Sequence, residues 1–266
     1  MTSSRSKPEA EDFSRSHDYP WLIRRWRTAA RTAGLAMSSI GTSGGHEVFA
    51  LRSKSPGSFR LYLSAGIHGD ESASTEAILS WVKTNASRLE DFDLTIFPCL
   101  NPWGLVHNKR TDADGIDLNR CYLVPDSIPH LSAQASLIAG RRFDLAIILH
   151  EDYDARGVYV YETTAKRPFL GESIIAAMGT HLPADVRRRI DDSPAKGGVI
   201  RRRVTRDTLP EWPEAFLLHF EHADCTFTIE TPSEAAINSR VTAHRAAIDA
   251  AISGCKRHLS SRDGRA

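Results

Sequence analysis

Short, densely apolar runs alternate along the chain with stretches whose apolar residues recur every three or four positions. The runs are His46–Arg52 (HEVFALR), Arg60–Ala65 (RLYLSA), Leu94–Leu100 (LTIFPCL), Asp144–Leu149 (DLAIIL), Gly157–Tyr161 (GVYVY) and Cys225–Ile229 (CTFTI). Their length and their β-branched and aromatic content predict strands, most of them buried. Helical spacing occurs at 20–34, where Trp21, Leu22, Trp26 and Ala29 lie between Pro20 and Gly34. It recurs at 73–83 and in a long amphipathic stretch at 234–253. Residues 101–133 are rich in turn formers, and 185–206 are basic and weakly patterned. Strands alternating with helices predict an α/β fold, with a mixed, mostly parallel central sheet flanked by helices. The boundaries read as a flexible N-terminal segment over 1–18, a single domain over 19–253 and a C-terminal tail over 254–266.

Four of the predicted strands run straight into residues capable of chemistry. Arg60–Ala65 leads to His68 and Glu71, Leu94–Leu100 to Asn101, Asp144–Leu149 to His150, and Cys225–Ile229 to Glu230. In open α/β sheets, ligands bind beyond the carboxyl ends of the strands. If these four strands are parallel, all four groups meet on one rim.

Composition narrows the function. The 266 residues carry 34 Lys+Arg against 33 Asp+Glu, a formal net charge of +1, so nothing points to nucleic acid or an acidic membrane as partner. Apolar residues at 41% and charged residues at 25% suit a globular chain long enough to bury a core without a structural metal. A metal, if present, is there for chemistry. Cys99, Cys121, Cys225 and Cys255 show no CxxC spacing, which argues against a zinc ribbon and for reduced thiols. The polar N-terminus lacks the apolar stretch of a secretory signal, and the densest apolar run, Leu145–Leu149, is far short of a membrane span. The expectation is a soluble cytoplasmic protein, with its oligomeric state left open.

His68-Gly-Asp-Glu71 carries the sharpest chemical signal. A His and a carboxylate three positions apart can reach one cation from a single turn, and Gly66 and Gly69 give the backbone room to make it. Neutral imidazole and carboxylate oxygen suit zinc, and His150 is the natural third donor, leaving one position open for water. An HxxE alone is common in surface loops; its place at a strand end beside His150 sets this one apart.

Gly66-Ile67-His68-Gly69-Asp70-Glu71 resembles the zinc-binding turn of the zinc metallocarboxypeptidases. Asn101-Pro102-Trp103-Gly104, Arg110 and Asp117-Leu118-Asn119-Arg120 are similar to the next block of that family. His150 resembles its third zinc ligand, and Thr228-Ile229-Glu230-Thr231-Pro232 its catalytic-glutamate strand. The four matches run in family order over roughly 60–232. The resemblance implies one Zn2+ held by His68, Glu71 and His150, with Glu230 as general base and Arg110 stabilising the oxyanion. It implies that Asn119 and Arg120 grip the free terminal carboxylate of a substrate; the local alternative for the pair is a helix start with Asp117 as its cap. The implied activity is a zinc-dependent carboxypeptidase, a metalloprotease cleaving the amide bond next to that carboxylate. Such a reaction needs an activated water, a stabilised oxyanion and a protonated leaving nitrogen; zinc supplies the first by lowering the pKa of bound water toward ~7.

The same zinc turn resembles that of succinylglutamate desuccinylase and aspartoacylase, which implies as alternative an amidohydrolase acting on a small N-acyl amino acid. A non-catalytic zinc or peptide-binding module is the third reading, and an intact Glu230 argues against it. The sequence departs from the digestive carboxypeptidases in two places. It has no tyrosine between Tyr161 and Glu230, where Trp212 is the obvious aromatic, and it has Trp103 where an aspartate is usual. Glu151, Asp152 and Asp154 read as a solvated turn, the alternatives being that one orients a ligand histidine beside a cation and another receives a substrate amine; Tyr159 and Tyr161 read as core. Asp185–Arg206 holds eight basic residues against three Asp, an excess of 8 − 3 = +5, and reads as a solvated loop face, the alternatives being recruitment of an anionic substrate or an interface.

Overall fold

The computed structural model describes residues 12–163 and 168–263. An eight-stranded sheet forms its middle layer, built from β1 (Leu35–Ser43), β2 (His46–Ser53), β3 (Phe59–Ala65), β4 (Phe92–Phe97), β5 (Leu145–Asp152), β6 (Tyr159–Thr163), β9 (Val199–Arg201) and β10 (Thr226–Pro232). Two further two-residue strands, β7 (Arg189–Ile190) and β8 (Ser193–Pro194), make a separate hairpin. The sheet order is β1-β2-β4-β3-β5-β10-β6-β9. Its four central strands, β4, β3, β5 and β10, are mutually parallel, while β1, β2 and β6 pair antiparallel with their inner neighbours. The sheet is therefore mixed and mostly parallel at its centre, and the strands leading to His68, Asn101, His150 and Glu230 all point the same way.

Alternation along the strands divides the core into two layers. Leu61, Leu63, Leu145, Ile147, Leu149, Phe227 and Ile229 pack on one face against α1 (Tyr19–Thr32), α2 (Ser72–Asn85), α5 (Gly171–Met178) and α7 (Ile237–Asp263). Tyr62, Ala146 and Ile148 pack on the other face, with α4 (Pro129–Ile138), α6 (Glu214–Leu217) and the loops around Leu118, Tyr122 and Trp212. Every residue of β5 from Leu145 to Glu151 is buried, as expected for a central parallel strand covered on both sides.

Several elements differ from the sequence reading. β1 escaped it because only its two ends are buried, and a bulge between Ser39 and Gly41 breaks its alternation. The turn-rich stretch 101–133 contains α3 (Pro102–His107) and α4, both opened by proline in the first turn. The expected tail is helical: α7 continues through Gly254 to Asp263, and Cys255 is buried. Gly254 lies against Leu170, so its lack of a side chain serves close packing. Of the expected N-terminal segment, 1–11 lie outside the described residues. Residues 12–18 form a turn ending in Asp18, whose carboxylate accepts the Trp21 N–H and caps α1. Of the expected tail, 264–266 likewise lie outside the described residues. All four cysteines are free thiols. Among the described residues, no helix is long and apolar enough to cross a membrane.

Candidate metal centre

The turn after β3 is shaped by two glycines. Gly66 has φ +63°, in the left-handed region, and a side chain there would meet Thr75 and Cys99. Gly69 passes so close to α3 that a Cβ would lie 1.9 Å from the Gly104 carbonyl carbon. Asn101 ties the turn to the next segment: its N–H donates to Gly66 O at 2.7 Å, and its side-chain oxygen accepts the Gly104 N–H, capping α3. Its amide also donates to the Arg110 carbonyl at 3.3 Å. Thus the asparagine-proline segment is scaffold for its neighbours. Trp103 stacks on His107 at 4.1 Å and lies against the β1–β2 turn at Gly44; it is not among the residues facing the cavity.

His68, Glu71 and His150 are brought together, each buried, with one donor atom apiece lying within 4.8 Å of the others. His68 Nδ1 is 2.6 Å from Glu71 Oε1, and His150 Nδ1 is 2.9 Å from Glu71 Oε2. His68 Nε2 lies 3.1 Å from Asp117 Oδ1, and Arg110 Nη1 lies 3.3 Å from His68 Nδ1. Donation from Nε2 to Asp117 leaves a lone pair on Nδ1, directed at the carboxylate. Two lone-pair atoms that close require a positive charge between them or a proton on one. The donor set therefore fits a cation: two imidazoles and one carboxylate, with Asp117 orienting the first ring from behind. Without one, the group is held by protons. Burial opposes a charged His68, but Glu71 and Asp117 prevail and hold its pKa up at about 9. Burial likewise opposes a charged Glu71, and the two flanking imidazoles hold it below its ordinary value.

Asp117 does double duty. Its Oδ2 accepts from Arg110 Nε at 3.2 Å and Nη2 at 3.0 Å, fixing the guanidinium with Nη1 toward the cluster. Burial would raise the Asp117 pKa, yet His68 and Arg110 hold it well below the usual carboxylate range. The sequence pattern contained this residue but assigned it only a capping role.

Glu230 lies on β10 in register with His150 on β5 and Tyr159 on β6. It is 9% exposed and makes no hydrogen bond or ion pair with another described side chain. Burial, reinforced by Glu71 against the opposing His150, raises its pKa. Asn119 is buried, and its Oδ1 accepts the Glu214 N–H at 2.9 Å, which turns its amide donors elsewhere. Arg120 is exposed, and among the described residues its side chain makes one hydrogen bond, from Nη1 to the Asn119 carbonyl at 2.9 Å, which leaves its other guanidinium donors unclaimed there. All seven residues singled out in the sequence line one cavity of about 600 Å3.

The cavity walls also contain residues that sequence reasoning placed elsewhere. Ile148, His150 and Asp152 of β5, Thr228 and Glu230 of β10, and Tyr159, Tyr161 and Thr163 of β6 all line it, alternate residues of three adjacent strands, and Glu151 joins them at the end of β5. Tyr159 donates to Asp152 at 3.0 Å and Tyr161 to Asp191 at 2.6 Å; they are cavity walls and not simply core. The alternation in GVYVYET was the available signal. Trp212 is buried against Phe216 and Phe220 and covers nothing. Three of the eight basic residues in that segment are ion-paired, Arg187 with Asp185, Arg201 with Glu162 and Glu172, and Arg206 with Glu221, while Arg202 reaches the cavity. Glu151, expected in a solvated turn, is buried behind His150.

Residues 58–166 match the family model of the succinylglutamate desuccinylase/aspartoacylase catalytic domain, a span that holds every singled-out residue except Glu230. Among curated proteins, none matches the chain in sequence. In fold it is similar to a candidate metallopeptidase from Shewanella baltica OS155, at 24% identity over 90% of this chain and 93% of that one, with a TM-score of 0.79. A metallo-carboxypeptidase from Burkholderia cenocepacia aligns at 18% identity over 89% of this chain and 68% of that one, with a TM-score of 0.68. A third, the Pseudomonas aeruginosa metallo-carboxypeptidase in complex with (2-guanidinoethylmercapto)succinic acid, aligns at 19% identity over 86% and 66%, with a TM-score of 0.62.

Proposed function

We propose that the chain, whose residues 58–166 match the succinylglutamate desuccinylase/aspartoacylase catalytic-domain model and whose fold is similar to that of metallo-carboxypeptidases, is a zinc-dependent hydrolase that cleaves an amide bond beside a free carboxylate, releasing the C-terminal residue of a peptide. The observation that carries the reading is the joint placement of an unpaired, nearly buried Glu230 and an unclaimed Arg120 on the walls of one cavity, with the His68–Glu71–His150 cluster in the same wall.

His68 and His150, through Nδ1, and Glu71 would hold one zinc ion. A bound zinc ion would acidify water and polarise the scissile carbonyl. Arg120, with the Asn119 amide, grips the substrate carboxylate through paired charge-assisted hydrogen bonds and so sets which amide lies beside the cluster. Glu230 accepts a proton from water as the oxygen adds to the carbonyl carbon. It returns that proton to the nitrogen as the C–N bond breaks, and the second proton of the water passes from the new acid to the amine, leaving a carboxylate and an ammonium group. Arg110, held by Asp117 with Nη1 facing the cluster, donates to the oxygen on which negative charge develops, and the interaction strengthens as that charge grows. Tyr159 and Tyr161 wall the side of the cavity beyond Glu230.

The family-model match favours a second reading, an amidohydrolase that cleaves a small N-acyl amino acid at the same site. Both readings use the same base and the same carboxylate anchor; they differ in what occupies the acyl side. Mass-spectrometric product analysis on a mixed panel of peptides and N-acyl amino acids separates them. Stepwise loss of C-terminal residues supports the first, release of a small acid from acylated glutamate or aspartate the second, and no turnover of either by zinc-loaded protein defeats both.

A further inference from the structure

Glu151 follows His150 on β5 and, by strand alternation, turns toward the helical layer on the other side of the sheet. Its carboxylate is buried and fully engaged. Oε1 accepts the N–H groups of Ala73 at 2.6 Å and Ser74 at 3.1 Å, in the first turn of α2, the Ser74 N–H being shared with the Glu71 carbonyl at 3.3 Å. Oε2 is paired with Arg240, in the first turn of α7. The residue at the cap position of α2 is Glu71, whose own side chain makes no capping hydrogen bond because it is turned into the imidazole cluster. Glu151 thus does for α2 what Glu71 gives up.

We propose that Glu151, charge-balanced by Arg240, is a positioning residue for the metal centre. It fastens the backbone just after Glu71 to the strand that carries His150, so that the separation of these two donors is set by a rigid link and not by a free loop. The inference rests on the reading of His68, Glu71 and His150 as metal ligands. Outer groups that hold ligands in place are worth about 10–100-fold in metal affinity.

The protein contains its own control. Glu162 on β6 is also buried, accepts the N–H groups of Leu170 and Gly171 at the start of α5, and is paired with Arg201. The construction is the same, but it lies outside the cavity walls and carries no metal donor at the helix start. A merely structural cap at Glu151 should behave as Glu162 does.

The test is Zn2+ affinity by chelator competition on the metal-free full chain, alongside thermal melting of the same metal-free samples. Glu151→Gln is expected to bind Zn2+ about 10–100-fold more weakly than the unaltered chain. Glu162→Gln is expected to lower the melting temperature comparably and keep the original affinity. Unchanged affinity in Glu151→Gln, or an equal loss in both variants, overturns the inference. If Glu151→Gln does not fold, Arg240→Gln replaces it; a loss of about tenfold supports the link and unchanged affinity overturns it. Failure of the unaltered chain to bind one Zn2+ removes the metal reading itself, and this inference with it.

Discussion

His150 and Glu230 are register partners on the parallel strands β5 and β10. Backbones of neighbouring strands lie about 4.8 Å apart, and hydrogen bonds along the ladder fix that spacing. On the proposed reading, a metal donor and a general base placed this way keep their separation whatever the surrounding loops do. The remaining donors, His68 and Glu71, come from the turn after β3, the strand on the other side of β5.

Because the Glu230 side chain makes no hydrogen bond or ion pair among the described residues, its replacement would remove a proton acceptor without breaking such a bond. Glu230→Gln should retain zinc, as measured by elemental analysis, and lose at least about 10²-fold in kcat. Turnover within a few-fold of the original would remove Glu230 from the mechanism.

Among the described residues, the exposed Arg120 side chain makes one hydrogen bond, to the Asn119 carbonyl. Arg120→Ala should leave the melting temperature nearly unchanged. It should reduce kcat/KM for substrates with a free terminal carboxylate by about 10–100-fold, the equivalent of a charge-assisted pair worth about 1.5–3 kcal/mol. Substrates amidated at that end should be poor for both proteins and little affected by the change. An equal loss on free and blocked substrates would show that Arg120 does not read the carboxylate.

Gly69→Ala tests the shape of the metal turn. The added carbon would sit 1.9 Å from the Gly104 carbonyl carbon and 2.2 Å from the Leu105 nitrogen, both backbone atoms that cannot swing aside. Overpacking of this kind costs about 1–3 kcal/mol, and here the strain falls between His68 and Glu71. The expected result is a lower melting temperature together with reduced zinc content; a folded variant with full zinc content would show that α3 can retreat without disturbing the donors.

The central strands were legible because they are buried on both faces and so read as continuous apolar runs, as LAIIL does in β5. The rim was legible because each run ends in a residue with no packing reason to be there. What escaped lay where burial is one-sided or partial: β1 at the sheet edge, and α3 and α4 in a stretch dominated by turn residues. Glu151 escaped for a different reason. Beside Asp152, Tyr153 and Asp154 it has the local composition of a solvated turn, and its partners Ala73, Ser74 and Arg240 are 77 to 89 positions away in the chain. Asp117 was visible as a helix-capping residue. Only the fold shows its carboxylate between His68 and Arg110.

The metal-free chain should have an unusual pH response on the alkaline side. His68 in the folded chain has its pKa raised from 6.5 to about 9, so folding takes up a proton there. The stabilisation is complete below pH 6.5, where the unfolded chain is protonated too, and it drains away as pH rises through about 9. In chelator, the melting temperature should therefore fall steadily between those limits. With saturating Zn2+ the trend over the same interval should weaken or reverse, because the metal displaces the imidazole proton and binds better as protons become scarce. Melting curves taken across the interval with and without Zn2+ provide the comparison. A metal-free melting temperature that is flat from pH 6.5 to 9, with the chain folded throughout, would show that His68 carries no extra proton and that its closeness to Glu71 must be relieved in another way.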